Sequence, residues 1–178
     1  MVGMAQYPDK YFDLAVVDPP YGIGSRLIDG GKKGGMGSLR KLADDKVEGW
    51  DVVPTEEYFT ELKRVSKKQI IWGGNYFLDY LGYCKAPIIW DKLNGKSLYA
   101  DGEMAWTSKG LPKNLKIFRH QWCGAFKDSE RGVIKQHPTQ KPVKLYVWLL
   151  TNYAKPGQRI LDTHGGSMSS VIAALNLG

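Results

Sequence analysis

The chain has little cysteine, little histidine and no long apolar run. Its 178 residues include two cysteines, Cys84 and Cys123, and three histidines. Neither cysteine lies in a CxxC pair or at ligand spacing from a histidine. This argues against a zinc site and a disulfide framework and leaves no metal ligand set to assign. A reduced, cytoplasmic compartment is the default expectation. No apolar run approaches the ~20 residues that a membrane helix needs, so no membrane partner is expected. The first ten residues carry no basic segment followed by an apolar one, so no secretory leader is expected. Internal repeats, low-complexity tracts and Pro/Ser-rich linkers are absent too, and the length suits one domain over 1–178. What the chain does have is a globular balance, 43% hydrophobic and 24% charged. The 25 Lys+Arg against 18 Asp+Glu give +7, a mild tilt towards polyanions whose meaning depends on where the charge lies.

Phe12-Asp13-Leu14-Ala15-Val16-Val17 is a short apolar run stopped by Asp18-Pro19-Pro20-Tyr21-Gly22. It reads as a buried strand ending where two prolines cannot donate to a ladder. Seven of the sixteen residues 22–37 are glycine, a segment too poor in apolar surface to offset its ordering entropy until something binds it. A helix is expected from Pro54-Thr55, with Tyr58, Phe59, Leu62 and Val65 on its apolar face. Gln69-Ile70-Ile71-Trp72 and Pro87-Ile88-Ile89-Trp90 read as further buried strands, and residues 100–107 as another. Residues 109–135 carry seven basic residues against two acidic ones, with Phe118, Trp122 and Phe126 among them. Pro142 then opens a helix with Val143, Tyr146, Val147, Leu150 and Tyr153 on its face. Arg159-Ile160-Leu161-Asp162 is a strand running into Gly165-Gly166-Ser167, and residues 169–177 are helical. Strand, glycine turn and helix in that order are the parts of a nucleotide-binding crossover. The sum is an α/β protein with a mostly parallel sheet.

In an open parallel sheet, ligands bind beyond the carboxyl ends of the strands. The end Asp162-Thr163-His164-Gly165-Gly166-Ser167 suits a nucleotide-like cofactor, because glycines admit the backbone closely and a helix start attracts negative groups. A tight structural turn would look the same. At Asp18-Pro19-Pro20-Tyr21 the prolines fix the backbone, so the Asp18 carboxylate and Pro19 carbonyl can converge beside an aromatic ring. Two acceptors and a ring suit a planar group bearing an exocyclic NH₂; the plainer alternative is a strand-ending turn with a surface aspartate.

These residues carry a resemblance. Asp18-Pro19-Pro20-Tyr21 after an apolar strand resembles the catalytic DPPY motif of DNA amino-methyltransferases. His137-Pro138-Thr139-Gln140-Lys141-Pro142, followed by Arg159-Ile160-Leu161-Asp162 and a glycine turn, resembles that family's cofactor-binding segment. The order, catalytic motif first and cofactor turn last, is similar to the circularly permuted beta class of S-adenosylmethionine-dependent enzymes. The resemblance implies a doubly wound, mostly parallel sheet of the class I methyltransferase (Rossmann-like) type forming one methyltransferase domain. It also implies methyl transfer from S-adenosylmethionine to the N6 amine of an adenine flipped out of double-stranded DNA, in a bacterial or phage-infected cytoplasm, as in restriction-modification.

Residue by residue, the resemblance makes Asp18, Pro19, Pro20 and Tyr21 catalytic. Asp18 and Pro19 accept the two N6 hydrogens and favour an sp³-like nitrogen in the transition state, while Tyr21 stacks on the flipped base. Asp18 is also close to the cofactor's methionine ammonium. Asp162, Thr163, His164, Gly165, Gly166 and Ser167 surround the cofactor's methionine part, with polar contacts from His137, Thr139 and Lys141. For His137 and Lys141 a helix cap and a solvated lysine are the plainer alternatives. Phosphate contacts are expected from Lys113, Lys116, Arg119 and Lys127, and from Arg26, Lys32 and Lys33 in the glycine-rich loop. An ordinary solvated surface is the alternative for each of these. The recognition region, 107–136, is short, so the target is brief or a second subunit of a homodimer contributes.

The chain departs from the family pattern in places. His164 and Met168 stand where phenylalanine and a third glycine are usual. A Gly-Asp-Cys-like segment that contacts the cofactor adenine usually lies upstream of the position of Met1. A strand whose acidic end binds the ribose usually follows the position of Gly178. The expectation is therefore a fragment or degenerate copy with weakened cofactor binding. N4-cytosine methylation, an RNA substrate and a catalytically impaired methyltransferase fold that binds DNA remain as alternative functions.

Overall fold

The short apolar runs become the centre of a six-stranded sheet. In the computed structural model the described residues are 2–23, 51–95, 100–123, 126–130, 132 and 140–178. Arg26, Lys32, Lys33, His137 and Thr139, with most of the glycine-rich loop, lie outside them. β1 (Leu14–Val17) and β2 (Gln69–Trp72) are buried at every position. Their alternate side chains go to opposite faces: Leu14, Val16, Ile70 and Trp72 to one, Ala15, Val17 and Ile71 to the other. Burial on both faces is why these strands read as unbroken apolar runs.

β3 (Ile88–Asp91), β4 (Gly102–Thr107), β5 (Lys116–Arg119), a small hairpin of β6 (Trp122–Cys123) and β7 (Phe126–Lys127), and β8 (Ile160–Leu161) follow along the chain. The main sheet has the order β5-β3-β4-β2-β1-β8. β4 is antiparallel to both neighbours and every other pairing is parallel. The carboxyl ends of β8, β1, β2, β3 and β5 therefore share one edge with the start of β4. That edge holds the site.

Both faces are covered. α1 (Val2–Ala5), α2 (Glu56–Val65) and α3 (Leu78–Leu81) contribute Met4, Phe59, Leu62 and Leu81 to one core. α4 (Val143–Tyr153) and α5 (Ser169–Leu177) contribute Leu145, Leu149 and Ala173 to the other. The buried face of α2 is Tyr58, Phe59, Leu62 and Val65, as the periodicity predicts. The face of α4 is corrected. It buries Leu145, Tyr146, Leu149 and Leu150, while Val143, Val147 and Tyr153 are only partly buried. α4 packs along α5 as well as on the sheet, so its apolar stripe is wider than a single face. Among the described residues, no helix is long and apolar enough to cross a membrane.

Candidate active site

Beyond Val17 the two prolines lead the chain out of the sheet, leaving Asp18 at the carboxyl edge with its side chain 15% exposed. Its carboxylate is tightly held. Lys141 Nζ lies 2.5 Å from Oδ2 and the Tyr21 hydroxyl donates to Oδ1 at 2.6 Å. The solvated-lysine alternative for Lys141 is thereby excluded: its side chain is 2% exposed. The same ammonium lies 3.0 Å from Glu103 Oε2, at the start of β4, and donates to the Tyr21 hydroxyl at 3.1 Å. Glu103 is met from its other side by Lys92, just beyond β3, at 2.5 Å. The result is an alternating chain, Asp18–Lys141–Glu103–Lys92, built from four segments of the fold.

Burial alone would lower the Lys141 ammonium, yet the neighbouring Asp18 and Glu103 charges hold it above its usual range. Burial would likewise raise Glu103, and the charges and hydrogen bonds of Lys141 and Lys92 bring it down to about 2. Burial, reinforced by Asp18 and Glu103, pushes the Tyr21 phenol well up, so it stays a neutral donor. Removing one member of such a cluster leaves an uncompensated buried charge, at a cost of about 3–5 kcal/mol.

The Tyr21 ring is packed rather than open. It stacks on Tyr76 at a centroid distance of 5.1 Å and an angle of 19°. Behind it, Gly73 has φ +68°, and a Cβ there would clash with the Tyr21 ring. A glycine is required at that turn. The exposed member of the aromatic pair is Tyr76, 46% exposed.

At the end of β8, Asp162 to His164 line a cleft of about 410 Å³ with Tyr58, Leu161, Met4 and Tyr7. Asp162 Oδ1 accepts the His164 N–H at 2.9 Å and Oδ2 accepts the Ser170 hydroxyl at 2.5 Å. Burial, with a smaller push from Asp18, outweighs these bonds and raises the Asp162 carboxyl. Thr163 Oγ1 shares hydrogen bonds with Tyr58 OH at 2.7 Å and His164 Nδ1 at 2.9 Å. Burial lowers His164 despite the two aspartates. Gly165, Gly166 and Ser167 form the turn into α5, with Met168 at φ +60° as its first cap. Ser169 ties this turn to the other site by donating to the Lys141 carbonyl at 2.9 Å.

The expected phosphate-binding residues fall at two ends of the sheet. Arg119, at the carboxyl end of β5, shares the edge with Asp18 and lies 3.4 Å from Asp91. The Lys127 ammonium lies 4.6 Å over the Trp122 ring on the hairpin that follows. Lys116 begins β5 and Lys113 precedes it, both towards the opposite edge, ~10 Å or more back along the strand.

Sequence reasoning missed Glu103, Lys92, Tyr76 and Tyr58. The signals for them were weak: a lone acid opening an otherwise uncharged strand, and Gly73-Gly74 directly after a buried one.

A mostly parallel sheet wound on both faces, with an acidic Asp-Pro-Pro-Tyr strand end and a cleft at a second strand end, defines a Rossmann-like fold of the methyltransferase class. The chain belongs to the DNA methylase family N6_N4_Mtase, whose profile matches residues 89–178. That match takes in Glu103, Lys141 and the β8 turn. The protein named "Putative methylase YubD" of Escherichia coli (strain K12) is 24% identical over 192 residues, spanning 98% of this chain and 76% of that protein. The crystal structure of an M1.HpyAVI-SAM complex is similar with a TM-score of 0.55 at 19% identity, over 94% of this chain and 79% of that one. TTHA0409 of Thermus thermophilus, complexed with S-adenosyl-L-methionine, gives a TM-score of 0.53 at 16% identity, over 99% and 82%.

Proposed function

We propose that the chain methylates the exocyclic N6 amine of an adenine flipped out of double-stranded DNA, using S-adenosylmethionine. The observation that carries this is the pair of acceptors at the end of β1. The Asp18 carboxylate is pinned by Lys141 and Tyr21. The Pro19 carbonyl, next in the chain, accepts no hydrogen bond from any described residue. An amine with two hydrogens takes both acceptors. Bonding to both draws its lone pair out of the ring and stabilises the charge that develops as the nitrogen attacks. An aspartate before Pro-Pro, as in the resembling DPPY enzymes, favours adenine over cytosine.

The residues at the β8 end fit the cofactor. Asp162 lines the cleft and feels the Asp18 charge, which suits a ligand with cationic groups, and the hydroxyls of Tyr58 and Thr163 offer neutral hydrogen bonds. Leu161, Met4 and Tyr7 give the cleft an apolar wall. Asp162, Thr163, His164 and the Gly165-Gly166 turn would hold it. When bound, it supplies an electrophilic methyl on sulfur. The protein's remaining task is alignment, and no side-chain nucleophile is needed. The flipped base lies against the Tyr21–Tyr76 pair, whose exposed ring is Tyr76. Arg119 and Lys127, on the same edge, are the described basic residues that fit phosphate contact.

Asp18→Ala tests this. Methyl transfer should fall by ~10²–10³ or more, with non-specific DNA binding unchanged within a few-fold. Wild-type turnover by the variant would remove Asp18 from the mechanism.

A further inference from the structure

Asp18 and the cleft account for chemistry and binding, but not for Glu103, drawn from β4 to 21% side-chain exposure, or for Lys92, drawn from beyond β3 to 18%. We propose that Glu103 is a positioning residue for methyl transfer: braced by Lys92, it holds the Lys141 ammonium against Asp18 and Tyr21, and so fixes the acceptor carboxylate without touching substrate.

An ammonium has three N–H donors, and Lys141 has three acceptors, Asp18 Oδ2 at 2.5 Å, Glu103 Oε2 at 3.0 Å and the Tyr21 hydroxyl at 3.1 Å. The Lys141 ammonium also lies 5.5 Å from the centre of the Tyr21 ring and 5.6 Å from that of Trp72. With every donor used, its position is set by the acceptors together. Among the described residues, Glu103 is the one acceptor of the three with a second cation on its far side. Two lysines and two carboxylates make the cluster neutral. Removal of one charge therefore disturbs Asp18 through Lys141 even where Asp18 itself is intact.

The titratable groups facing Glu103 come from three sides: Lys141 before α4, Lys92 after β3, Tyr21 after β1, Asp18 through Lys141, and Tyr146 of α4, whose phenol feels the Glu103 charge.

Charge counting gives the test. Glu103→Gln leaves the cluster at +1, Lys141→Met leaves it at −1, and the double variant returns it to zero. Each single variant should lower kcat ~10- to 100-fold, the range known for loss of the outer partner of a metal ligand, with KM for DNA changed by no more than a few-fold. Because Glu103 acts through Lys141, the double variant should turn over no more slowly than Lys141→Met alone. Independent contributions predict instead that the two losses multiply. Should Lys141→Met fail to fold, Glu103→Gln is compared with Glu103→Gln/Lys92→Met, where Lys92 acts through Glu103 and its loss should cost no further rate. Multiplied losses overturn the proposal.

The kinetic arm rests on the methyl-transfer reading, whereas carbon-13 titration of the Glu103 carboxyl does not. In the wild-type chain that carboxyl should titrate at about 2, and higher in Lys141→Met or, should that variant not fold, in Lys92→Met. A wild-type Glu103 titrating near the usual 4.5 overturns the proposal even where no DNA is methylated. A chain with no methyl transfer but the low titration refutes the function and leaves the cluster's electrostatics standing.

Discussion

Lys141 shows how a single residue changes meaning between sequence and fold. As one lysine in a His-Pro-Thr-Gln-Lys-Pro run, it reads as a cofactor contact or a solvated side chain. In the structure it is 2% exposed and bridges Asp18 to Glu103. Its environment also sets a pH dependence. Glu103 is held ionised down to about 2, against a usual 4.5. The unfolded chain therefore takes up that proton first as the solution is acidified. The stability Glu103 contributes is complete above about 4.5 and is lost as pH falls towards 2. Lys141 is raised above 10.5, so its contribution is complete below that value and is lost as pH rises through its higher folded value. Urea unfolding across the pH range should show a plateau between these limits, and Glu103→Gln should flatten the acid limb. An identical acid limb in both proteins would mean that Glu103 titrates alike folded and unfolded. Asp18 and Tyr21 could be singled out as candidates because Asp-Pro-Pro-Tyr is local. Glu103 and Lys92 could not, because their meaning is a meeting of residues far apart in the chain.

At the scale of elements, strand runs and their stops were the legible part. β1, β2, β8, α2 and α5 lie where apolar period, prolines and glycines put them. α1, α3 and the turn at Gly74–Tyr76 escaped notice, since each is four residues or fewer and is fixed by contacts such as Gly73 against Tyr21. Met168 holds a left-handed position that glycine would take without strain, which matches the turn's departure from the family pattern. β5 divides a basic stretch that looked like one patch. Arg119→Ala should weaken binding of all duplexes alike and reduce the slope of log K against log salt by ~0.9 for each phosphate no longer neutralised. Lys113→Ala with Lys116→Ala should leave that slope unchanged, because those residues lie towards the far edge. The opposite ranking would put DNA at that edge, away from Asp18.

For the whole molecule, topology does the gathering. β4 runs against its neighbours, so its start, Glu103, meets the ends of β1 and β3 on one edge, and the β8 turn joins them through the bond from Ser169 to Lys141. The proposed acceptor carboxylate, its charge partners and the β8 cleft are thereby gathered at one edge, although their residues span most of the chain. The direct test of the account is to incubate the chain with S-adenosylmethionine labelled at its methyl group and unmethylated double-stranded DNA, then digest the DNA to nucleosides and locate the label. Label is expected in N6-methyldeoxyadenosine. Label in N4-methyldeoxycytidine, or bound DNA with no label in any base, would contradict it.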